Sequence, residues 1–200
     1  MKSDITVLAF GGLRAPRALA SLPVAAISRS TDIDAAISGH RRVAVVGSLA
    51  DLASVLSCLL RTDRLDVEVA HVRNRWSARR AITGPASRIP LIRDDTGTVL
   101  AGEALWLPPD GAAALHGEAV VDDAVLFDGE VSGVRIEPTA TMPGLRARLL
   151  GRGRRRWVTG RAAQLGTTGV RVIRDGVAGP RELKRSTFYR HTTGWLRVDC

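Results

Sequence analysis

The sequence predicts an α/β N-terminal layer with a parallel sheet, followed by a C-terminal antiparallel β-sandwich. Three observations carry this prediction. Residues 1–85 alternate short, continuously apolar strands with helical stretches, as strands covered on both faces do. After Pro85 the strands come in pairs around Asp-Gly and Asp-Asp turn signals. The chain has 200 residues, 45% hydrophobic and 24% charged, which is enough for one domain or two small ones, each with a real core. The predicted domains are 1–85 (α/β) and 86–200 (β-sandwich).

The elements follow in order. Ile5 to Phe10 is a β-rich run that ends at Gly11-Gly12. Arg14 to Leu22 reads as a helix and Pro23 to Ile27 as a second strand. Thr31-Asp32-Ile33-Asp34 has the form of a capped helix start. Arg42 to Val46 is a buried strand closed by Gly47. Leu52, Val55, Leu56, Leu59 and Leu60 then share one helix face. Leu65 to Val72 is a strand, and Trp76 to Ile82 a helix that stops before Thr83-Gly84-Pro85. Beyond it, strands are predicted at 90–93, 99–107, 118–121, 124–127, 131–136, 157–165, 170–174, 183–189 and 195–198.

Composition excludes several classes. No apolar run reaches the roughly 18 residues a membrane helix needs. The N-terminus has one Lys, Asp4 and only six apolar residues in a row, which predicts a cytoplasmic protein rather than a secreted one. Cys58 and Cys200 form no CxxC, and the four histidines have no ligand spacing, so no metal site is predicted. Net charge is +9, and 27 of the 29 cations are arginine. Residues 1–85 carry net +5, residues 86–144 net −7 and residues 145–200 net +11. Two readings stay open: a basic surface that attracts phosphate, nucleic acid or an anionic membrane, or acidic and basic strands that neutralise each other.

The chain resembles the bacterial diacylglycerol kinase and lipid kinase family, within the NAD kinase-like superfamily. Arg42-Val-Ala-Val-Val-Gly47-Ser48-Leu49-Ala50-Asp51-Leu52 is in register with the family's strand, GGDGT loop and helix. Val170-Arg-Val-Ile-Arg-Asp175-Gly176-Val177 resembles the late DGE hairpin. Ile136-Glu-Pro-Thr-Ala-Thr-Met-Pro-Gly-Leu145 is similar to the Pro-x-Ala segment that leads into Asp-Asp-Gly. Together these stretches span most of the chain. The departures define a degenerate, shortened member. Gly47 remains, but Ser48, Leu49 and Ala50 replace the residues that follow it. Val72-Arg73-Asn74-Arg75-Trp76 stands where Gly-Thr-Gly-Asn is expected. Pro143-Gly144 and Val177 stand where the resemblance implies acids.

The resemblance implies ATP and magnesium for an active member. Magnesium needs oxygen ligands, normally carboxylates, and the departures remove them. The expectation is therefore a kinase-like protein with an impaired site, no catalytic residues and no resident cofactor, which binds an anionic lipid, a nucleotide or a partner. The alternatives are an active ATP-dependent lipid kinase with a diverged site and a basic nucleic-acid-binding protein. The latter is disfavoured because one Tyr and three Phe offer little base stacking. Oligomeric state is not readable.

Gly47, Ser48 and Asp51 are the nucleotide-loop remnant, although Asp51 is also a simple helix N-terminal acid. Asp175 and Gly176 are the remnant of the DG motif. Arg152, Arg154, Arg155 and Arg156, next to Trp157, are candidates for an anionic contact peripheral to the membrane, against a plain solvated loop. Arg73 and Arg75, with Arg79 and Arg80, lie where a nucleotide would sit, against a basic surface helix. Arg181, Lys184, Arg185, Tyr189, Arg190 and His191 read as an interface, preferentially between the domains. The acids at 94–95, 122–123 and 128 read as turn residues.

Overall fold

A computed structural model describes residues 4–151 and 156–200. Arg152, Arg154 and Arg155 lie outside the described residues. The chain forms two compact units, Met1–Ile89 with Thr193–Cys200, and Pro90–Thr192.

In chain order the elements begin with β1 (Ile5–Phe10), a 3-10 turn (Arg17–Leu19), β2 (Val24–Ile27), α1 (Asp32–Ile37), β3 (Arg42–Val46), α2 (Leu49–Arg61), β4 (Glu68–His71), α3 (Arg75–Thr83) and β5 (Ala86–Ile89). Then come β6 (Ile92–Asp94), β7 (Val99–Leu100), β8 (Ala104–Leu107), β9 (Leu115–Val121), β10 (Ala124–Val131), β11 (Val134–Pro138) and β12 (Leu145–Leu149). The last are β13 (Val158–Gly160), β14 (Ala162–Arg174), β15 (Val177–Ala178), β16 (Leu183–Arg190) and β17 (Trp195–Val198).

The first unit is a six-stranded sheet in the order β2-β1-β3-β4-β17-β5. Every neighbouring pair is parallel except β17–β5. β1 and β3 are apolar on both faces because both faces are covered. On one side Val7, Ala44, Val46, Ala70 and Val72 pack with Ala78 and Ala81 of α3 and Leu19 of the 3-10 turn. α2 buries Leu52, Val55, Leu56, Cys58 and Leu59, nearly the face that the periodicity predicts. Arg42, 9% exposed, pairs through Nε with Glu68 Oε2 at 2.5 Å and donates from one terminal nitrogen to the carbonyls of Ala81 and Ile82. One buried guanidinium thus joins β3, β4 and the C-terminal end of α3.

Two local predictions change. Arg14 to Leu22 is not a helix. Pro16 and Pro23 bound the segment and leave room only for the turn at Arg17–Leu19. Thr31 caps α1 without a side-chain bond, and Asp32 instead accepts from the Arg29 N–H at 3.1 Å.

The second unit is an antiparallel sandwich held together by β14. The first half of β14 pairs with β9 and β16. Past an irregularity between Gly166 and Val170 it pairs with β8. The sequence splits this strand in two, whereas the structure runs one bent strand through both layers, as sandwich corners require. The buried core includes Trp106, Leu115, Ile136, Leu145, Val172 and Phe188. Trp106 donates from Nε1 to Ser186 Oγ at 2.9 Å, which satisfies both buried polar groups. β17 does not belong to this unit, where the sequence places it. It lies in the first sheet between β4 and β5. β5, formed by residues that the sequence assigns to the second domain and leaves without a strand, is the edge of that same sheet.

Several basic residues of the C-terminal segment neutralise acids of the preceding one. Arg146 binds Glu137 at 2.6 Å, Arg171 binds Asp110 at 2.8 Å and Arg174 binds the buried Asp94 at 2.8 Å.

Candidate anion-binding cleft

The chain leaves β1 toward β2 on one side, and returns to β3 on the other side of β1. The loops after β1 and β3 therefore diverge and open a crevice at the carboxyl edge of the sheet, where ligands enter open α/β sheets. A cleft of about 380 Å3 occupies this position. Leu13, Arg14 and Pro16 line it from the loop after β1, Val46 and Gly47 from the end of β3, and Val72, Arg73, Asn74 and Arg75 from the passage between β4 and α3. Gly11 and Gly12 take φ of +60° and +73°, a left-handed course that glycine adopts without strain. It carries Leu13 and Arg14 out to the rim.

Gly47, Ser48 and Asp51 form a reciprocal helix cap. The Ser48 hydroxyl accepts from the Asp51 N–H at 3.2 Å. Asp51 Oδ2 accepts from the Ser48 N–H at 2.7 Å and from its hydroxyl at 2.8 Å. A Cβ on Gly47 would lie 2.6 Å from that carboxylate oxygen, so glycine at 47 makes room for Asp51. His71 Nε2 lies 3.0 Å from the Gly47 carbonyl and donates to it, which pins the end of β3 to β4.

A second cap closes α3. Asn74 Oδ1 accepts from the Trp76 and Ser77 N–H groups, both at 2.9 Å. Ser77 Oγ accepts from the Arg73 and Asn74 N–H groups at 2.9 and 3.0 Å. The N–H groups of Arg73, Asn74, Trp76 and Ser77 are thus already bonded, and the cations that line the cleft are Arg14, Arg73 and Arg75. Arg75 also stacks over Trp76 at 5.2 Å.

Arg73 and Arg75 are the predicted anion candidates that the fold brings to the cleft, and the Gly47–Asp51 cap stands beside them. Sequence reasoning passed over Arg14, Leu13 and the Asn74–Ser77 cap. The available signals were Gly-Gly-Leu-Arg directly after a buried strand and Asn-x-x-Ser before a helical stretch.

Asp175 and Gly176 lie in the second unit, in the turn from β14 to β15. Asp175 takes a φ of 49° and Gly176 of 85°. The Asp175 carboxylate accepts from the N–H groups of Ala101, Gly102 and Glu103 at 2.9, 2.6 and 3.0 Å. Burial nevertheless pushes this carboxyl above its ordinary value, against those three donors and with the Glu103 charge adding to the rise. The turn acids hold backbone: Asp94 accepts from the Thr96 and Thr98 N–H groups, and Asp122 from those of Arg161 and Ala162.

Arg156 is exposed, while Trp157 is stacked by Arg146 and Arg148 at 4.3 and 4.7 Å. In the basic stretch around β16, Ser186 and Phe188 are buried, Arg93 stacks on Tyr189 at 4.7 Å, and Arg190 donates to the Pro143 carbonyl at 2.9 Å.

The chemistry of the cleft can be tested against the groups its fold implies. Guanidinium forks suit phosphate oxygens. Magnesium asks for free carboxylates, whereas Asp51 is engaged by Ser48. Among the described residues no three His, Cys, Asp or Glu side chains gather as a metal-holding group. The arginines suit phosphate, and the carboxylate beside them is held by Ser48.

No protein-family model and no curated protein matches the sequence. Solved structures do match. An NAD kinase from Archaeoglobus fulgidus in complex with ATP superposes with a TM-score of 0.65 at 11% identity, over 98% of this chain and 93% of that one. A diacylglycerol kinase from Bacillus anthracis str. Sterne superposes with a TM-score of 0.71 at 9% identity, over 98% of this chain and 96% of that one. Likeness at this identity establishes the fold.

Proposed function

We propose, for a chain that carries the fold of the NAD and diacylglycerol kinase structures, that it binds a phosphorylated ligand in the cleft after β1, β3 and β4 without transferring a phosphoryl group. The observation that carries this reading is the charge arrangement of the cleft. Three arginines line it, and the carboxylate beside it is turned back onto Ser48. Phosphoryl transfer rests on positioning and on neutralising charge at the moving group, largely by metal ions held on carboxylates. A cleft of this kind can hold phosphate through cations alone. That the NAD kinase relative holds ATP supports a nucleotide as one such ligand.

Thermal shift and calorimetry with ATP and with inorganic pyrophosphate, each with and without magnesium, test this reading. Binding is expected for both ligands and is expected not to require magnesium. Saturation at a hundredfold excess over Kd would add about 2.7 kcal/mol of stability. Arg73→Glu with Arg75→Glu should abolish the shift. Transfer of phosphate from ATP to diacylglycerol should be absent. Magnesium-dependent turnover at enzyme-like rates would establish the active-kinase alternative instead.

A further inference from the structure

Seven large apolar side chains are exposed among the described residues, and three of them stand at the edge that holds the cleft. Leu13 is 53% exposed on the loop after β1, Leu49 is 39% exposed on the first turn of α2, and Trp76 is 64% exposed on the first turn of α3. The arginines of the cleft lie between them in sequence. α3, RWSARRAIT, has no acid and adds exposed Arg79 and Arg80 one turn beyond Trp76. Among the described residues, no ion pair engages Arg14, Arg73, Arg75, Arg79 or Arg80. Three acids near this edge are occupied: Asp51 by Ser48, Asp32 by Arg29 and Asp199 by Arg197.

One loop and two helix starts thus leave large apolar surface facing solvent. Set among unpaired arginines, they match the two signals that hold a protein on a bilayer: apolar insertion and attraction to anionic headgroups. Tryptophan is the side chain that settles at the headgroup level. Two of the three tips are leucines, which enter acyl chains but cannot stack on bases, and this favours lipid over nucleic acid.

We propose that the carboxyl edge of the first sheet docks on an anionic bilayer. Leu13, Leu49 and Trp76 enter the interface while Arg14, Arg73, Arg75, Arg79 and Arg80 contact lipid phosphates. This rests on the reading that the cleft receives phosphate, and it names the membrane as the source that presents it.

The test is sedimentation with vesicles of phosphatidylcholine alone and of phosphatidylcholine containing phosphatidylglycerol. Wild-type protein should bind only the anionic vesicles. The fluorescence difference between wild type and Trp76→Phe should shift to the blue on binding. Leu49→Ser/Trp76→Ser and, separately, Arg79→Glu/Arg80→Glu should each weaken vesicle binding roughly tenfold or more. A retained pyrophosphate shift shows that the serine variant is folded. Equal binding to neutral vesicles, or unchanged binding by either variant, would overturn the proposal. So would tighter binding to a single-stranded oligonucleotide that the same variants abolish. A wild-type protein that answers pyrophosphate but ignores vesicles would refute the docking face alone, whereas one that ignores both would refute the phosphate cleft as well.

Discussion

Replacing Asp51 with alanine separates a cap from a metal ligand. Its carboxylate accepts two bonds from Ser48, at 2.7 and 2.8 Å. It also fills the space where a side chain at 47 would begin, 2.6 Å from the position of a Cβ. Loss of a helix cap costs about 0.5–2 kcal/mol, and Ser48 is exposed, so water can replace part of what is lost. The expected cost of Asp51→Ala is therefore about 1 kcal/mol, or about 2–4 °C in Tm for a chain of this length. Gly47→Ala must evict the carboxylate and should cost about as much, less the few tenths that a stiffer unfolded chain returns. In the Asp51→Ala background the carboxylate is gone, although the Cβ of residue 51 still lies 2.9 Å from the new methyl, so the same change should cost less there than in the wild type. The two substitutions should couple by up to about 1 kcal/mol in a double-mutant cycle read by urea unfolding. Removing a negative charge beside three arginines should leave pyrophosphate binding intact or tighter. Strict additivity of the two changes, or loss of a magnesium-dependent activity in Asp51→Ala without loss of stability, would refute the capping account.

Arg42→Met should destabilise by about 3–5 kcal/mol, because Glu68 and two carbonyls lose a buried cation. Adding Glu68→Leu should recover much of this in urea unfolding, and a double variant no better than the single would count against an ion-pair origin. Leu56→Ala, at a fully buried position of α2, should cost about 2–5 kcal/mol by the same measurement. Asp175 gives a pH signature. Because burial raises its folded-state value, its stabilising contribution is fullest below the ordinary carboxylate range and fades as pH rises through the raised value. The Tm difference between wild type and Asp175→Asn should therefore move against the wild type with rising pH. The opposite slope would mean that the three amide donors outweigh burial.

The α/β half of the fold was legible because its strands are apolar without interruption and α2 repeats its leucines on one face. The pairs of short strands around Asp-Gly turns were legible for an equally local reason. What was not legible depends on distance or on a mixed pattern. Leu145–Leu149 alternates Leu, Arg, Ala, Arg, Leu, a clean period of two, yet it is missing from the predicted strands because two of its five residues are charged. Trp195–Val198 looks like any closing strand, and nothing local says that its partners are Glu68–Val69 and Ala86–Ile89. At the site, Arg73 and Arg75 could be picked out by resemblance. Arg14 could not, because its place depends on which strand lies beside β1. Asp51 was readable as a helix acid, but its engagement by Ser48 required coordinates.

The placement of β17 makes the second unit a guest within the first. Ile89 faces Trp195 across the sheet, so the excursion through Pro90–Thr192 departs from and returns to adjoining positions. During synthesis, the host that starts first must wait for its last strand until the whole guest has emerged. Through that interval β4 has a bare margin, open to any extended segment nearby. The guest, being one continuous stretch, has no such wait. Its speed of folding therefore governs how long the host stays unsealed.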